Sequence, residues 1–252
     1  MAATPSTSAL RIDDEPAFVL HTYPYRETSV IVEAWSANHG RVALIARGAK
    51  RARSELRGTL QAFQPLTLGW MGARDLKTLT RAEWRGGMPL PTGSGLLCAF
   101  YLNELLLKLL PREDPHPQLY ADYVDALEAL AAGGEQAPLL RRFERALLAA
   151  MGYALNLTHD VDSGAPIDAT ARYHFAIEQG AHRLPGPTGQ PGLVVHGATL
   201  VALATSNYPD AAVAGEAKRL MRVVLDHHLE TRRLFSRRIV LDLQALEEQE
   251  ET

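Results

Sequence analysis

"TSVIVEAWSANHGRVALIARG", residues 28–48, reads as two short strands joined by a turn. Both flanks are rich in β-branched and aliphatic residues, and Asn38-His39-Gly40 between them supplies turn chemistry. In the second strand, alternation puts Val42, Leu44 and Ala46 on one face and Arg41, Ala43, Ile45 and Arg47 on the other. The same kind of run recurs nearby as "PAFVLHT" (16–22), "LQAFQPLTLGW" (60–70) and "LKTLTRAEW" (76–84), with Met71–Asp75 as a hairpin turn before the last. Five short strands in about seventy residues are too few for a sandwich. Closure into a small barrel removes the exposed edges, and the five-stranded OB barrel is the expected solution.

The pattern changes after "RGGMPLPTGSG" (85–95), where four glycines and two prolines in eleven residues mark a linker. Helical periodicity follows over about 94–110, 116–132 and 138–151, with Pro111, Gly133-Gly134 and Gly152 as stops. Residues 153–195 are irregular, with "YHFAIEQGAHR" as a short strand and turn and "LPGPTGQPG" as an exposed loop. Helices resume over about 198–205, 209–230 and 236–246. The expected class is α+β: a barrel domain over 1–87, a linker over 88–95, a mainly helical domain over 96–246 and an acidic disordered tail over 247–252.

Charge is divided between these parts. The chain as a whole is at −3, but residues 1–87 hold 12 Lys/Arg against 8 Asp/Glu, and residues 88–252 hold 14 against 21. Within "RVALIARGAKRARSELRG" (41–58), Arg41, Arg47, Lys50, Arg51, Arg53 and Arg57 face the single acid Glu55. Lys77 and Arg81 are expected on a common face of the fifth strand. A basic groove across a small barrel, with Tyr23, Tyr25 and Trp35 as stacking surfaces, is a way to hold a nucleic-acid strand without reading its sequence. Trp35, Trp70 and Trp84 are otherwise expected in the core.

A second basic group lies in "PLLRRFERALLAAMG". On a helical wheel Arg141, Arg142 and Arg145 occupy an arc beside an apolar stripe. Arg141, Arg142 and Arg145 beside that stripe could receive an acidic peptide ending in apolar residues, a guanidinium taking its terminal carboxylate, and spacing alone favours the plainer reading, the charged surface of an amphipathic helix. Catalytic patterns are weak: His159, Asp160 and Asp162 form a loose trio that a metal-dependent nuclease would need, and no phosphate loop or nucleophile elbow is present. The single cysteine, Cys98, excludes an internal disulfide and a multi-thiolate zinc site. The opening "MAATPSTSALRIDD" lacks a secretory pattern, and no apolar run is long enough for a membrane span. A cytoplasmic protein without cofactor is expected.

The stretches "VLHTYPYRETS", "GRVALIARGAKR", "LRGTLQAFQPL" and "DLKTL" resemble the N-terminal domain of the RecO recombination mediators, bacterial DNA-repair proteins. "YLNELLLKLLPREDPHPQLYADY" and "LRRFERALLAAMGYALNLTHD" resemble the second domain of that family. The resemblance implies an OB fold followed by a helical domain, and a non-enzymatic role in the RecF recombination pathway. It also implies binding of single- and double-stranded DNA, annealing of complementary strands, and action with RecR to load RecA onto DNA coated by single-strand binding protein. Docking on the acidic, apolar-ended tail of that binding protein is implied at "LRRFE", so Arg141 and Arg142 inherit this role. Some family members hold zinc with four cysteines after the "MGY" segment. Here "LNLTHDVDSGAPID" has none, so packing alone is expected to hold that module. A different reading of the basic strands is an OB-type RNA-binding or ribosome-associated protein.

Overall fold

The structure is a computed structural model that describes residues 11–186, 189, 191–230 and 232–239. The chain divides into two compact units: Met1–Leu90 with Leu110–Ala121, and Pro91–Leu109 with Asp122–Thr252. The first unit therefore includes residues 110–121, which follow a helix of the second.

In the first unit, β1 (Arg11–Tyr25), β2 (Ser29–Ser36), β3 (Gly40–Ala46), β4 (Leu66–Met71) and β5 (Leu76–Trp84) close into a barrel of order β1-β2-β3-β5-β4. One helical turn, α1 (Leu56–Thr59), stands between β3 and β4. This is the expected five-stranded OB-type barrel. β3 and β5 pair in parallel, and the other neighbours pair antiparallel. β1 is twice the expected length because it serves two partners. Arg11–Ala17 pair with β4 and Ala17–Tyr25 with β2. A strand shared in this way must bend, and its register shifts between Ile12 and Glu15 and again between Val19 and His21. Residues 60–65, expected as the start of the fourth strand, lie outside it.

Alternation fills the barrel: Val32, Ala34, Val42, Leu44, Ala46, Leu66, Leu68 and Trp70 form one buried cluster. A second apolar layer lies outside the sheet. Tyr120 packs its ring 5.8 Å from Phe18 and 6.4 Å from Trp35, both buried. The segment 110–121 is held there by Glu113 N–H donating to Arg41 O at 3.0 Å. Gly40 makes this approach possible. It has φ of 66°, and a Cβ there would collide with the Asp114 backbone.

The second unit carries α2 (Gly93–Leu109), α3 (Pro117–Ala131, from Asp122 on), α4 (Gln136–Ala150), α5 (Gly197–Thr205) and α6 (Ala211–Leu229). Leu102, Leu105, Leu106, Tyr123, Leu127, Phe143, Leu147, Leu203, Leu220 and Val224 are fully buried and form its core. A small antiparallel sheet of order β7-β6-β8 joins β6 (Arg172–Ala176), β7 (Gly180–Arg183) and β8 (Gly192–His196). β8 lies just after the loop "LPGPTGQPG" and was not expected as a strand. Residues 235–239 are helical. The rest of the helix expected over 236–246, and the expected tail 247–252, lie outside the described residues. No described helix is long and apolar enough to cross a membrane.

The irregular module over 153–171 is held by more than packing. Asp160, buried, accepts from Ser163 Oγ at 2.7 Å, Asp162 N–H at 3.2 Å and Arg183 N–H at 3.4 Å. His182 meets Asp162 at 3.0 Å and Gln179 at 3.1 Å, and Tyr173 OH accepts from Asp168 N–H at 2.9 Å. A hydrogen-bonded carboxylate thus anchors the loop. Asp160 is spent on this network, and among the described residues no three metal-binding side chains converge, His159, Asp160 and Asp162 included.

Candidate nucleic-acid interface

Residues 47–55, leaving β3, form a chain of tight turns. Gly48 has φ of 73°, Arg51 N–H donates to Gly48 O at 3.0 Å, and Ser54 N–H to Arg51 O at 3.0 Å. Consecutive turns throw their side chains outward, and Arg47, Lys50, Arg51 and Arg53 are all exposed, as is Arg57 on α1. Lys50 anchors the loop to the β1–β2 turn: its N–H donates to Thr28 O at 2.9 Å and its Nζ to Arg26 O at 3.0 Å. This brings Arg26 to the same surface, a residue the sequence reading missed. Its isolated position in the turn between β1 and β2 gave no charge-run signal. Among the described residues, no carboxylate pairs with Arg26, Arg47, Lys50, Arg51, Arg53 or Arg57. Unpaired cations on one loop and the adjoining turn raise the local potential and stay available to an incoming anion.

Tyr25 lies here half-buried, with the Arg26 guanidinium 5.2 Å from its ring centre. Tyr23, 45% exposed, stands edge-on to His21 at 4.5 Å. Trp35 is no stacking surface, since Tyr120 covers it. Trp84, expected in the core, is 63% exposed with its indole N–H donating to Gln64 at 2.8 Å.

Three expected contacts leave the patch. Arg41 donates to Glu33 at 3.1 Å and to Leu110 O at 3.0 Å, and Arg112 reaches the same buried Glu33 from the other side. Lys77 is buried and bonded to Glu113 and, at 3.2 Å, to Arg74 O. Both cations tie segment 110–121 to the barrel. Arg81 does not share a face with Lys77. Leu79 pairs with Trp70 but Arg81 with Gly69, so Thr80 is an extra residue that reverses the alternation. Arg81 is then held outward by two bonds of 2.7 Å to Glu83 and a further one to Asp14. Glu83 and Asp14 raise its pKa, so the guanidinium stays charged and its charge is compensated by the two carboxylates beside it.

The arginines of α4 separate in the same way. Arg141 is 8% exposed and bonds Glu144, a carboxyl with no exposure that also accepts from Tyr101 OH at 2.7 Å. Burial pushes the Glu144 pKa up, against the pull of Arg141 and Tyr101. Beside them opens a cavity of about 350 Å³. Its cations are Arg141, Lys218, Arg222 and Arg237, and Leu97 and Leu140 supply apolar wall. Lys218 and Arg222, four apart on α6, could have been grouped from the sequence; their convergence with Arg141 could not. Arg142 is exposed, 4.0 Å from Asp125, and does not line the cavity. Arg145 turns instead to the end of α5, donating to Leu203 O, to Ser206 Oγ at 3.3 Å and to Ala204 O at 3.4 Å.

Residues 12–88 match the family model for the recombination protein O N terminal, and residues 91–238 that for the recombination protein O C terminal. The DNA repair protein RecO of Aromatoleum aromaticum is 50% identical over 237 residues, covering 94% of this chain and 98% of its own. That of Azoarcus sp. is 48% identical, covering 92% and 97%. That of Thiobacillus denitrificans is 48% identical, covering 95% and 96%. Two family models that together span nearly the whole chain, and near-full-length relatives at about half identity, leave one conclusion: the chain belongs to the RecO family.

Proposed function

We propose that this protein is a non-catalytic mediator of DNA recombination and repair that binds single- and double-stranded DNA through the face made by the loop over 47–57 and the β1–β2 turn. The observation that carries this reading is the group of six cations there without a carboxylate partner among the described residues, whereas Arg41, Lys77, Arg81 and Arg141 are each paired with one. Arginine and lysine on turns contact phosphates without reading bases. Such a surface neutralises two strands at once, lowering the repulsion that opposes annealing, while base pairing supplies the specificity. With about six phosphate contacts, log affinity for a single strand falls against log salt with a slope near −4.

The cavity on the second unit supports the other half of the role. Four cations beside apolar wall suit an acidic peptide that ends in apolar residues, such as the tail of single-strand binding protein. Docking there, and action with RecR, would bring the protein to coated DNA at the nucleoid and let RecA load. The deciding experiment is annealing of complementary strands precoated with single-strand binding protein, with and without its tail. Annealing that needs the tail supports the reading. Preference for RNA and indifference to the tail would favour an RNA-binding protein instead. Replacing Lys218 and Arg222 together with Ala should weaken tail-peptide binding by about tenfold or more, the effect of losing charge-assisted contacts, and spare naked DNA.

A further inference from the structure

The barrel is closed along its strands but incompletely covered at the end where α1 lies. Sealing that end needs apolar side chains from the connection between β3 and β4. Here that connection spends residues 47–55 mostly on the basic loop, and the helix that follows, α1, is only four residues long. Ala49 and Leu60 join the core cluster, and Val30 and Leu56 pack against it only partly buried. A cleft of about 290 Å³ is left. Val30, Ala49, Leu56 and Leu60 make its apolar floor, and the exposed Thr22, Lys50 and Arg57 make its rim.

An apolar floor and a cationic rim are complementary to one chemical object that recurs along a single strand: a flat base with a phosphate on either side. A duplex offers the phosphates but keeps its bases stacked and paired, and extracting one costs a few kcal/mol. A short, unpaired strand pays little of that. We infer that the cleft takes one unpaired base of single-stranded DNA, with Lys50 and Arg57 on the neighbouring phosphates. This rests on the DNA-binding reading above and adds to it a source of preference. A purely electrostatic surface favours the duplex, whose charge density is higher. A base-sized cleft contributes only when bases are free.

The test is anisotropy with three labelled DNAs of equal length: a single strand, the same strand with abasic sites, and a duplex. The wild-type chain should bind the intact strand about tenfold more tightly than the abasic one, as expected for one buried or stacked base. Thr22→Trp fills the cleft from an exposed strand position where an aromatic residue is well tolerated. It should erase that difference and leave duplex binding unchanged. Leu56→Phe, a milder filling from the apolar floor, should shrink it in the same direction. Equal wild-type affinity for intact and abasic strands would overturn the inference while leaving DNA binding standing. So would two folded variants that keep the full difference. Failure of the wild-type chain to bind any of the three DNAs would overturn the function proposed above, and this inference with it.

Discussion

Arg141 and Arg145 sit one turn apart on the same helix, yet their surroundings give them different work. Arg141 lies against a carboxyl without solvent contact and beside an open cavity. Arg145 holds the last carbonyls of α5, where a helix leaves its acceptors unpaired and favours a cation. Arg145→Ala should therefore cost about 1–3 kcal/mol of stability, the range for a charged hydrogen bond lost to partly buried acceptors. Urea unfolding measures this, and tail-peptide binding should stay unchanged. Loss of peptide binding without loss of stability would return Arg145 to the docking site. Arg141→Ala is the less clean substitution, because it takes the bonded cation from the fully buried Glu144 carboxyl and leaves it with Tyr101 OH, which destabilises the unit by itself. A helical wheel shows that both residues lie beside the apolar stripe. It cannot show which acceptors a neighbouring helix end brings to one of them.

At the scale of elements, β2 to β5 and most helices were legible because each carries its own period of two or 3.6. The failures share a cause, which is that the stabilising partner is distant in sequence. "RIDDE" (11–15) is polar and lies before the strand expected over 16–22, yet its backbone completes β1 against β4. α1 is too short to show a period. The bulge at Thr80 is set by pairing with β4, and it reverses the faces of Lys77 and Arg81. The module over 153–171 shows the same limit. Asp160 looked like a weak metal ligand, and burial alone would raise its pKa. The bonds from Ser163 Oγ and from the N–H groups of Asp162 and Arg183 hold it below the usual carboxylate range. A depressed folded-state pKa gives stability that is present above the unfolded value, about 4, and is lost as pH falls below it toward the folded value. Asp160→Asn should cost about 1–3 kcal/mol at pH 7, since the charge-assisted acceptor is gone. It should also flatten the acid limb of the stability profile below about pH 4, and hydrogen exchange should report faster opening of residues 158–168 than of the helices.

On the scale of the whole molecule, opposite charges are sorted between and within the two units. The cations that ended in ion pairs, Arg41, Lys77 and Arg81, lie on β3 and β5, and their carboxylates come from β2 (Glu33), the segment 110–121 (Glu113), β5 itself (Glu83) and β1 (Asp14). Arg47, Lys50, Arg51 and Arg53 come from turns and Arg57 from the single helical turn after them, and among the described residues no carboxylate pairs with them. The loop over 47–57, being contiguous, was readable from the sequence as a basic cluster and candidate site. The cavity was not, because its four cations arrive from α4, α6 and the segment after it. The distinction predicts two different behaviours for substitutions of the same formal charge. Lys50→Ala, Arg51→Ala and Arg53→Ala together remove three of the six cations proposed to meet phosphates, and the salt slope for a single strand should fall from about −4 to about −2. The fold should be unaffected, since all three side chains are exposed. Lys77→Ala should do the reverse. It leaves the slope in place and loosens the segment 110–121, because Glu113 loses its buried partner. Anisotropy across a salt series, paired with thermal unfolding of each variant, separates the two. A slope that stays near −4 in the triple variant would place the phosphate contacts on another surface of the molecule.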